Sequence, residues 1–368
     1  MNWRGVTSRH RSQTPYSLSR MHASRVGPRL YTRSARFIRR LASTSLPQDG
    51  NAVPLPRPLL LTLERKVGRE AGSDEELWRS GAFGAGVVPD LPPATTLRQL
   101  AAQALRLPGG HVAESPTTAP PATCRAPAGL TPQQPPGCIT VRSVAAQLRS
   151  REDLRRRMAA AVAGSEGHPP AQALLLLSGG HPVRTLPIVP HFLGNSLSMF
   201  RDAGTARSRG ELPADTRLWA VANPGSETLR RLAAKVEAGA STVLTQPPLL
   251  WRRSREWMER AAENGLTHRA RIVLGVPLIT SLSNLEFWLF LIGAGAGDEE
   301  AAQLLADFPA SQDAEGVRAW NADLIRRTLD LPGVGGLHVM PLTKRARQLT
   351  QGFLQDGTLP KSCPGVEA

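Results

Sequence analysis

Short apolar runs recur along the second half of this chain, at 173–177, 218–222, 242–245, 272–274 and 337–340, with stretches of helical periodicity between them. A short continuous apolar run bounded by turn residues suits a strand buried on both faces. Strands that alternate with helices build right-handed crossovers and hence a parallel sheet. Upstream, 58–63 and 138–141 read as further strands and 81–86 as a weaker one, which brings the candidates to eight. The helical stretches fit this order: Leu229, Leu232, Ala233 and Val236 share one stripe of 227–237, and Ser150 is placed to cap a helix with Asp153 as its third residue.

Eight such units need about 250 residues to close into a barrel, and residues 50–365 supply that length. The expected fold class is therefore α/β, a (β/α)8 TIM barrel over 50–365. An open doubly wound sheet is the competing arrangement, but no Gly-rich dinucleotide fingerprint follows the first strand. The Gly293-Ala-Gly-Ala-Gly297 stretch follows a helix and leads into Asp298 at the next helix start, so it reads as a helix-to-helix link.

Composition shifts mark two other segments. Residues 107–137 hold eight Pro among Ala, Thr and Gly, too little apolar surface to offset ordering entropy, and are expected to be a disordered insertion in the barrel. Residues 1–48 carry ten Arg and no Lys, Asp or Glu, so the formal charge of +15 falls to +5 for the remainder. An Arg- and Ser-rich, acid-free leader is the composition of a transit peptide, with the mitochondrion as expected destination and the chloroplast as alternative. A basic arm for nucleic acid is the other reading. The interleaving of Arg with Tyr16, Leu30, Phe37 and Ile38 is amphipathic rather than phosphate-tracking, so no nucleic-acid partner is expected. The longest apolar run, 287–296, is about half the roughly 20 residues that span a bilayer; it is expected to be a buried helix, with no membrane span. Cys124, Cys138 and Cys363 are odd in number and form no CxxC pair, which supports neither a disulfide framework nor a metal site and fits a reducing compartment.

In barrels of this kind the reactive groups stand at the C-terminal ends of the strands. Glu64 ends the first run, and a partly desolvated carboxyl there would donate a proton near neutral pH; a plain salt bridge to Arg65 or Lys66 is the competing reading. Glycines in Ser178-Gly179-Gly180-His181 expose backbone N–H groups to a phosphate or carbonyl. The turn Asn223-Pro224-Gly225-Ser226-Glu227 opens a helix whose free N–H groups Ser226 or Glu227 would satisfy. Gln246 offers an amide that both donates and accepts.

The stretch from Leu218 to Gln246, above all KVEAGASTVLTQ over 235–246, resembles the methylenetetrahydrofolate reductase family, flavin enzymes of one-carbon metabolism. The resemblance covers most of the chain after residue 58 and is densest over 173–246 and 272–340. It implies an oxidoreductase that passes hydride from NAD(P)H through FAD to 5,10-methylenetetrahydrofolate, giving the 5-methyl form used in methionine biosynthesis. By that resemblance Glu64 is the general acid. Gly84 and Ala85 of Phe83-Gly84-Ala85-Gly86 approach the isoalloxazine, as do Cys138, where the family has a His, and Thr140 at the third strand end. Ser178, Gly179 and Gly180 replace an Arg-Gly-Asp pattern beside the flavin. Asn223, Arg231 and Lys235 serve the cofactor side, with Lys235 at the diphosphate, while Gln246 and Lys344 hold the folate. A homo-oligomer is compatible with this picture. The departures, with Gly180 for the family Asp, Ala82 for a Thr and Ala234 for an Arg, leave a second reading open: a catalytically degenerate barrel kept as a binding or assembly protein of an organelle.

Overall fold

The computed structural model describes residues 58–66, 72–90, 135–147, 149–164, 169–179, 195–295, 297–309, 311 and 313–362. The expected leader 1–48, nearly all of the Pro-rich insertion, and Gly180 lie outside the described residues.

Eight parallel strands close into one barrel in sequence order. They are β1 (Leu60–Glu64), β2 (Ala85–Val88), β3 (Ile139–Ala145), β4 (Ala173–Leu177), β5 (Arg217–Ala222), β6 (Thr242–Thr245), β7 (Arg271–Val276) and β8 (Val334–Val339). Closure is made by β8 pairing with β1, from Leu60 opposite Gly336 to Leu63 opposite Val339. The expected (β/α)8 barrel is the fold. Alternate residues divide between two cores, as a two-residue repeat requires. Leu60, Ala85, Val87, Val141, Ala173, Leu175, Trp219, Leu244 and Val273 fill the barrel interior. Their neighbours, among them Leu61, Leu63, Leu174, Leu176, Val243, Leu274, Leu337 and Val339, pack outward on the helices. Both faces being apolar is why the strands read as unbroken runs.

Two strand positions differ from expectation. β2 begins at Ala85, where the reading above has it nearly finished, and β3 continues to Ala145 instead of ending at Val141. Arg142 and Ser143 break the apolar run of β3, yet both stay in register with β4, Arg142 opposite Leu174 and Ser143 opposite Leu175. Burial lowers the pKa of the Arg142 guanidinium, and the nearby Asp90 carboxylate opposes that shift.

The surrounding helices are set by their caps. Ser150 accepts from Asp153 N at the start of α2 (Arg151–Ala163), which follows the short α1 (Glu75–Arg79). Asn195 and Ser198 form a capping box on α3 (Ser196–Ser208). At α4 (Leu229–Glu237) the cap is Thr228, accepting from Arg231 N, rather than Ser226 or Glu227. The remaining helices are α5 (Trp251–Glu263), α6 (Leu266–Arg269), α7 (Leu282–Ile292), α8 (Glu299–Ala306), α9 (Ala314–Leu329) and α10 (Lys344–Gln355). No described helix is long and apolar enough to cross a membrane.

Asp202 on α3 joins that helix to α2 by accepting from Arg151 and, at 3.3 Å, from Arg155. Burial alone would raise this carboxyl, but the hydrogen bonds and charges of the two arginines outweigh it and hold the pKa below the ordinary carboxylate range. A depressed acid pKa stabilises the fold above the unfolded value, roughly pH 4, and that contribution is lost as pH falls through the folded value. We expect Asp202→Asn to cost about 1 kcal/mol at neutral pH and to flatten the acid side of the stability curve. Urea melts from pH 3 to pH 7 would test this; parallel curves for the two proteins would sink it.

Two helices lie on an excursion between β7 and α9. Leu285, Trp288, Leu289 and Ile292 of α7 join Leu249, Leu250, Ile279, Phe308, Val317, Leu324 and Met340 in a satellite core beyond the strand ends. The buried helix expected at 287–296 is thus buried on one face only: Phe287, Phe290 and Leu291 stay 45, 77 and 45% exposed. A helix packed on a small cluster from one side leaves its other side to solvent, however apolar its sequence.

Candidate functional site

The inward parity that carries Leu60 into the barrel interior also brings Thr62 and Glu64 inward, with Glu64 last on β1 at the C-terminal mouth. Across the closing seam Thr62 stands opposite His338 of β8. Thr62 Oγ1 and His338 Nδ1 are 2.8 Å apart, and His338 Nε2 lies 3.2 Å from Glu64 Oε2. The imidazole is buried, whereas the Glu64 side chain is 29% exposed. A buried ring gripped from below therefore holds a carboxyl group that is open above. Two proton arrangements satisfy the chain. With the Thr62 hydroxyl turned toward Leu337 O, 3.4 Å away, Nδ1–H donates to Thr62 and Nε2 accepts from a protonated Glu64. With that hydroxyl donating to Nδ1 instead, Nε2–H donates to the Glu64 carboxylate.

Among the described residues Glu64 pairs with His338 and not with Arg65 or Lys66. Arg65 donates to Asp74 at 2.8 Å and Glu75 at 2.9 Å, and Lys66 Nζ donates to the carbonyl of Leu342 at 2.9 Å. His338 is the residue that sequence reasoning missed. It lies inside an apolar run, and its one signal is parity: Leu337 and Val339 face the helices, which turns His338 into the barrel.

Gln246 directly follows β6 with the inward parity of Leu244; its N–H donates to Ala222 O at 2.9 Å, and it is half-buried. Gly179 follows β4 in the left-handed region at φ +75, and a Cβ there would lie 2.9 Å from Gln147 Cγ, so only glycine fits this close approach. Ser178 Oγ accepts the N–H of Ser196 at 3.2 Å, and its carbonyl accepts from Gln147 N at 3.0 Å. Asn223 is used up locally: Oδ1 accepts from Gly225 N and Nδ2 donates to Ile292 O, both at 3.0 Å, which ties the β5 loop to the end of α7. Arg231, on α4, is exposed, as is Lys344, the first residue of α10 after β8. Ser178, Gly179, Asn223, Gln246 and Lys344 thus join Glu64 at the mouth end of the barrel.

Four expected flavin contacts lie elsewhere. Gly84 precedes β2, Ala85 begins it, Cys138 precedes β3 and Thr140 is second in it. All are at the N-terminal end of their strands, and from Thr140 to Ala145 the chain climbs about 17 Å at strand rise. Each has a structural role there. A Cβ on Gly84 would meet Leu60 Cδ1 at 2.8 Å, and Ala85 belongs to the interior core. The Cys138 thiol donates to Phe83 O at 2.8 Å, and burial raises its pKa. Thr140 N donates to Gln172 Oε1 at 2.7 Å. The resemblance aligned short Gly and Cys signals without the strand ends, and β2 and β3 start where those signals stop.

Lys235 is a buried cation with two of its three donors engaged. Its Nζ donates to Val221 O and Glu227 Oε1, each at 2.5 Å, and only 5% of its side chain is exposed. Burial lowers its pKa, Glu227 works against that, and Arg231 adds to it. An ammonium held this way pins α4 to β5 and is not offered to a diphosphate. Lys235→Ala should lose about 3 kcal/mol, because Glu227 is left buried without its partner, and a Lys235→Met, Glu227→Leu double variant should recover most of that. Thermal melts decide it: a single variant as stable as the wild type would make Lys235 a surface-like charge.

No group of three His, Cys, Asp or Glu among the described residues is placed to hold a metal ion. No family model and no curated protein matches the chain. Among solved structures it is similar to an uncharacterized protein from Clostridium thermocellum that binds two copies of 5-methyl-5,6,7,8-tetrahydrofolic acid, at 11% identity, 82% of this chain, 96% of that one and a TM-score of 0.47. It is also similar to tryptophan synthase from M. tuberculosis, at 15% identity, 83% and 94% coverage and a TM-score of 0.38. An HpcH/HpaI aldolase from Desulfitobacterium hafniense matches at 10% identity, 84% and 96% coverage and 0.33. At these identities and TM-scores the likenesses carry no argument, and the fold rests on the closed strand pairing.

Proposed function

We propose that the barrel mouth binds a reduced folate and protonates it through Glu64, the acid step of the methylenetetrahydrofolate reductase reaction. The observation that carries this reading is the Glu64–His338–Thr62 chain, which holds a carboxyl group open at the mouth over a buried imidazole. A protonated Glu64 would deliver its proton to a nitrogen of the imidazolidine ring and assist its opening, with His338 keeping the carboxyl in place and able to share the proton. Gln246, on the same inward face, suits the donor and acceptor edge of a pterin. Lys344 brings one positive charge to the rim, fit for the glutamate carboxylate of a folate, though without the bidentate fork of an Arg.

FAD, which the resemblance implies, would supply hydride transfer from NAD(P)H. The described residues fit it poorly. Gly84, Ala85, Cys138 and Thr140 are at the far end of the barrel, Asn223 is held between Gly225 and Ile292, and Lys235 is buried against Val221 and Glu227. Of the expected flavin residues Ser178 and Gly179 keep places at the mouth and Arg231 is exposed on α4, too few contacts to seat a flavin. The same displacement favours the second reading, a barrel that binds its ligand as part of an assembly. Calorimetry with 5-methyltetrahydrofolate tests the primary reading. Binding by the wild type, weakened about tenfold in Gln246→Ala and little changed in Glu64→Gln, is expected. Absence of binding in the wild type would remove the reading.

A further inference from the structure

Between β7 and α9 the chain changes character. Residues 272–317 contain no Lys or Arg and seven acidic residues, in a protein whose formal charge is +15. On this excursion α7 presents Phe287, Phe290 and Leu291 to solvent, spaced i, i+3, i+4 and therefore on one face. Its opposite face, Leu285, Trp288, Leu289 and Ile292, anchors it to the satellite core. Phe287 is braced edge-to-face on Trp288 with ring centroids 5.8 Å apart, so the stripe is carried on a fixed helix. Four of the acids are locally engaged: Asp298 binds Arg253 at 2.8 Å, Glu300 accepts from Arg252 N, Asp307 accepts from Gln303 Nε2 at 2.7 Å and Asp313 accepts from Gly316 N at 2.7 Å. Glu286 on α7, with Glu299 and Asp307 at the two ends of α8, are exposed and pair with no cation among the described residues.

We propose that this face of α7 docks a basic amphipathic helix of a partner protein. Apolar side chains at i, i+3, i+4 spacing form one stripe along the helix, of the kind that packs against a second helix. The acidic surround selects Lys or Arg on the flanks of the incoming helix. It also tells against the other occupants. A second copy meeting this one through the same patch would bring two acidic rims together, since a two-fold contact is self-paired. An anionic bilayer would repel the rim. This inference stands on the surface of the excursion and not on the folate reading, so either can fail without the other.

The test uses the full chain and two synthetic helical peptides of equal apolar content, one of Leu and Lys and one of Leu and Glu, titrated by fluorescence anisotropy. The Lys peptide should bind at least about tenfold tighter than the Glu peptide and weaken with added salt. The triple variant Phe287→Ala, Phe290→Ala, Leu291→Ala should lose about tenfold in affinity for it while circular dichroism still shows a folded, cooperatively melting protein, because the anchoring face of α7 is untouched, and Glu286→Gln should weaken it by a smaller factor. Equal binding of the two peptides, or binding indifferent to the triple variant, overturns the proposal. So does a dimer in light scattering that the triple variant dissolves, which would make a second copy the occupant. Flotation on phosphatidylserine vesicles that the triple variant abolishes would assign the face to a membrane instead.

Discussion

Gly336→Ala is expected to prevent the barrel from closing. A Cβ at this position would lie 2.0 Å from the carbonyl oxygen of Leu60 and 2.9 Å from its nitrogen. Both obstacles are backbone atoms of the paired strand, so no rotamer change relieves the clash. The seam between β1 and β8 would have to part at the Leu60–Gly336 pair. Overpacking relieved by side-chain movement costs about 1–3 kcal/mol; separating a ladder that closes the sheet should exceed that and approach the few kcal/mol by which such domains are stable at all. Circular dichroism melts and soluble yield are the measurements, and a variant that expresses and melts like the wild type would show that the seam is not closed as described.

Glu64→Gln carries the second large effect. The amide keeps the size and the hydrogen bond to His338 but holds no acidic proton, so a reaction that needs the acid should slow by about 10²–10⁴-fold. Exchange of the methylene group of 5,10-methylenetetrahydrofolate, which needs the acid-assisted ring opening and no hydride, is the readout, with folate affinity measured alongside. Thr62→Val should have a smaller effect, since it removes only the grip on Nδ1. Turnover in Glu64→Gln equal to that of the wild type would take the proton-donor role away from this residue and leave a binding barrel.

Four strands, β4 to β7, were legible because both of their faces are buried, one in the interior core and one under helices, which leaves apolar runs, while β8 was legible only through its end, since its inward residues are Gly336 and His338. β2 and β3 were less so. Val87 and Val88 follow a glycine-rich start, and Arg142 with Ser143 interrupts β3, so its register is held by β4 rather than by hydrophobicity. That slip moved Gly84, Ala85, Cys138 and Thr140 to the far end of the barrel. Lys235 failed for another reason: the resemblance offers its charge to a diphosphate, and only the packing of α4 on β5 shows Val221 and Glu227 closing over it.

The order of strands and helices, the parity that points Glu64 and Gln246 inward, and the acidic, base-free excursion were all determined by residues close together in the chain. What only the tertiary structure decided is which distant groups meet. Thr62 and His338 are 276 positions apart, and they touch because closing the sheet brings the first strand beside the last. Local periodicity carries no information about that register, since it arises from backbone pairing and from a glycine that lets two strands approach.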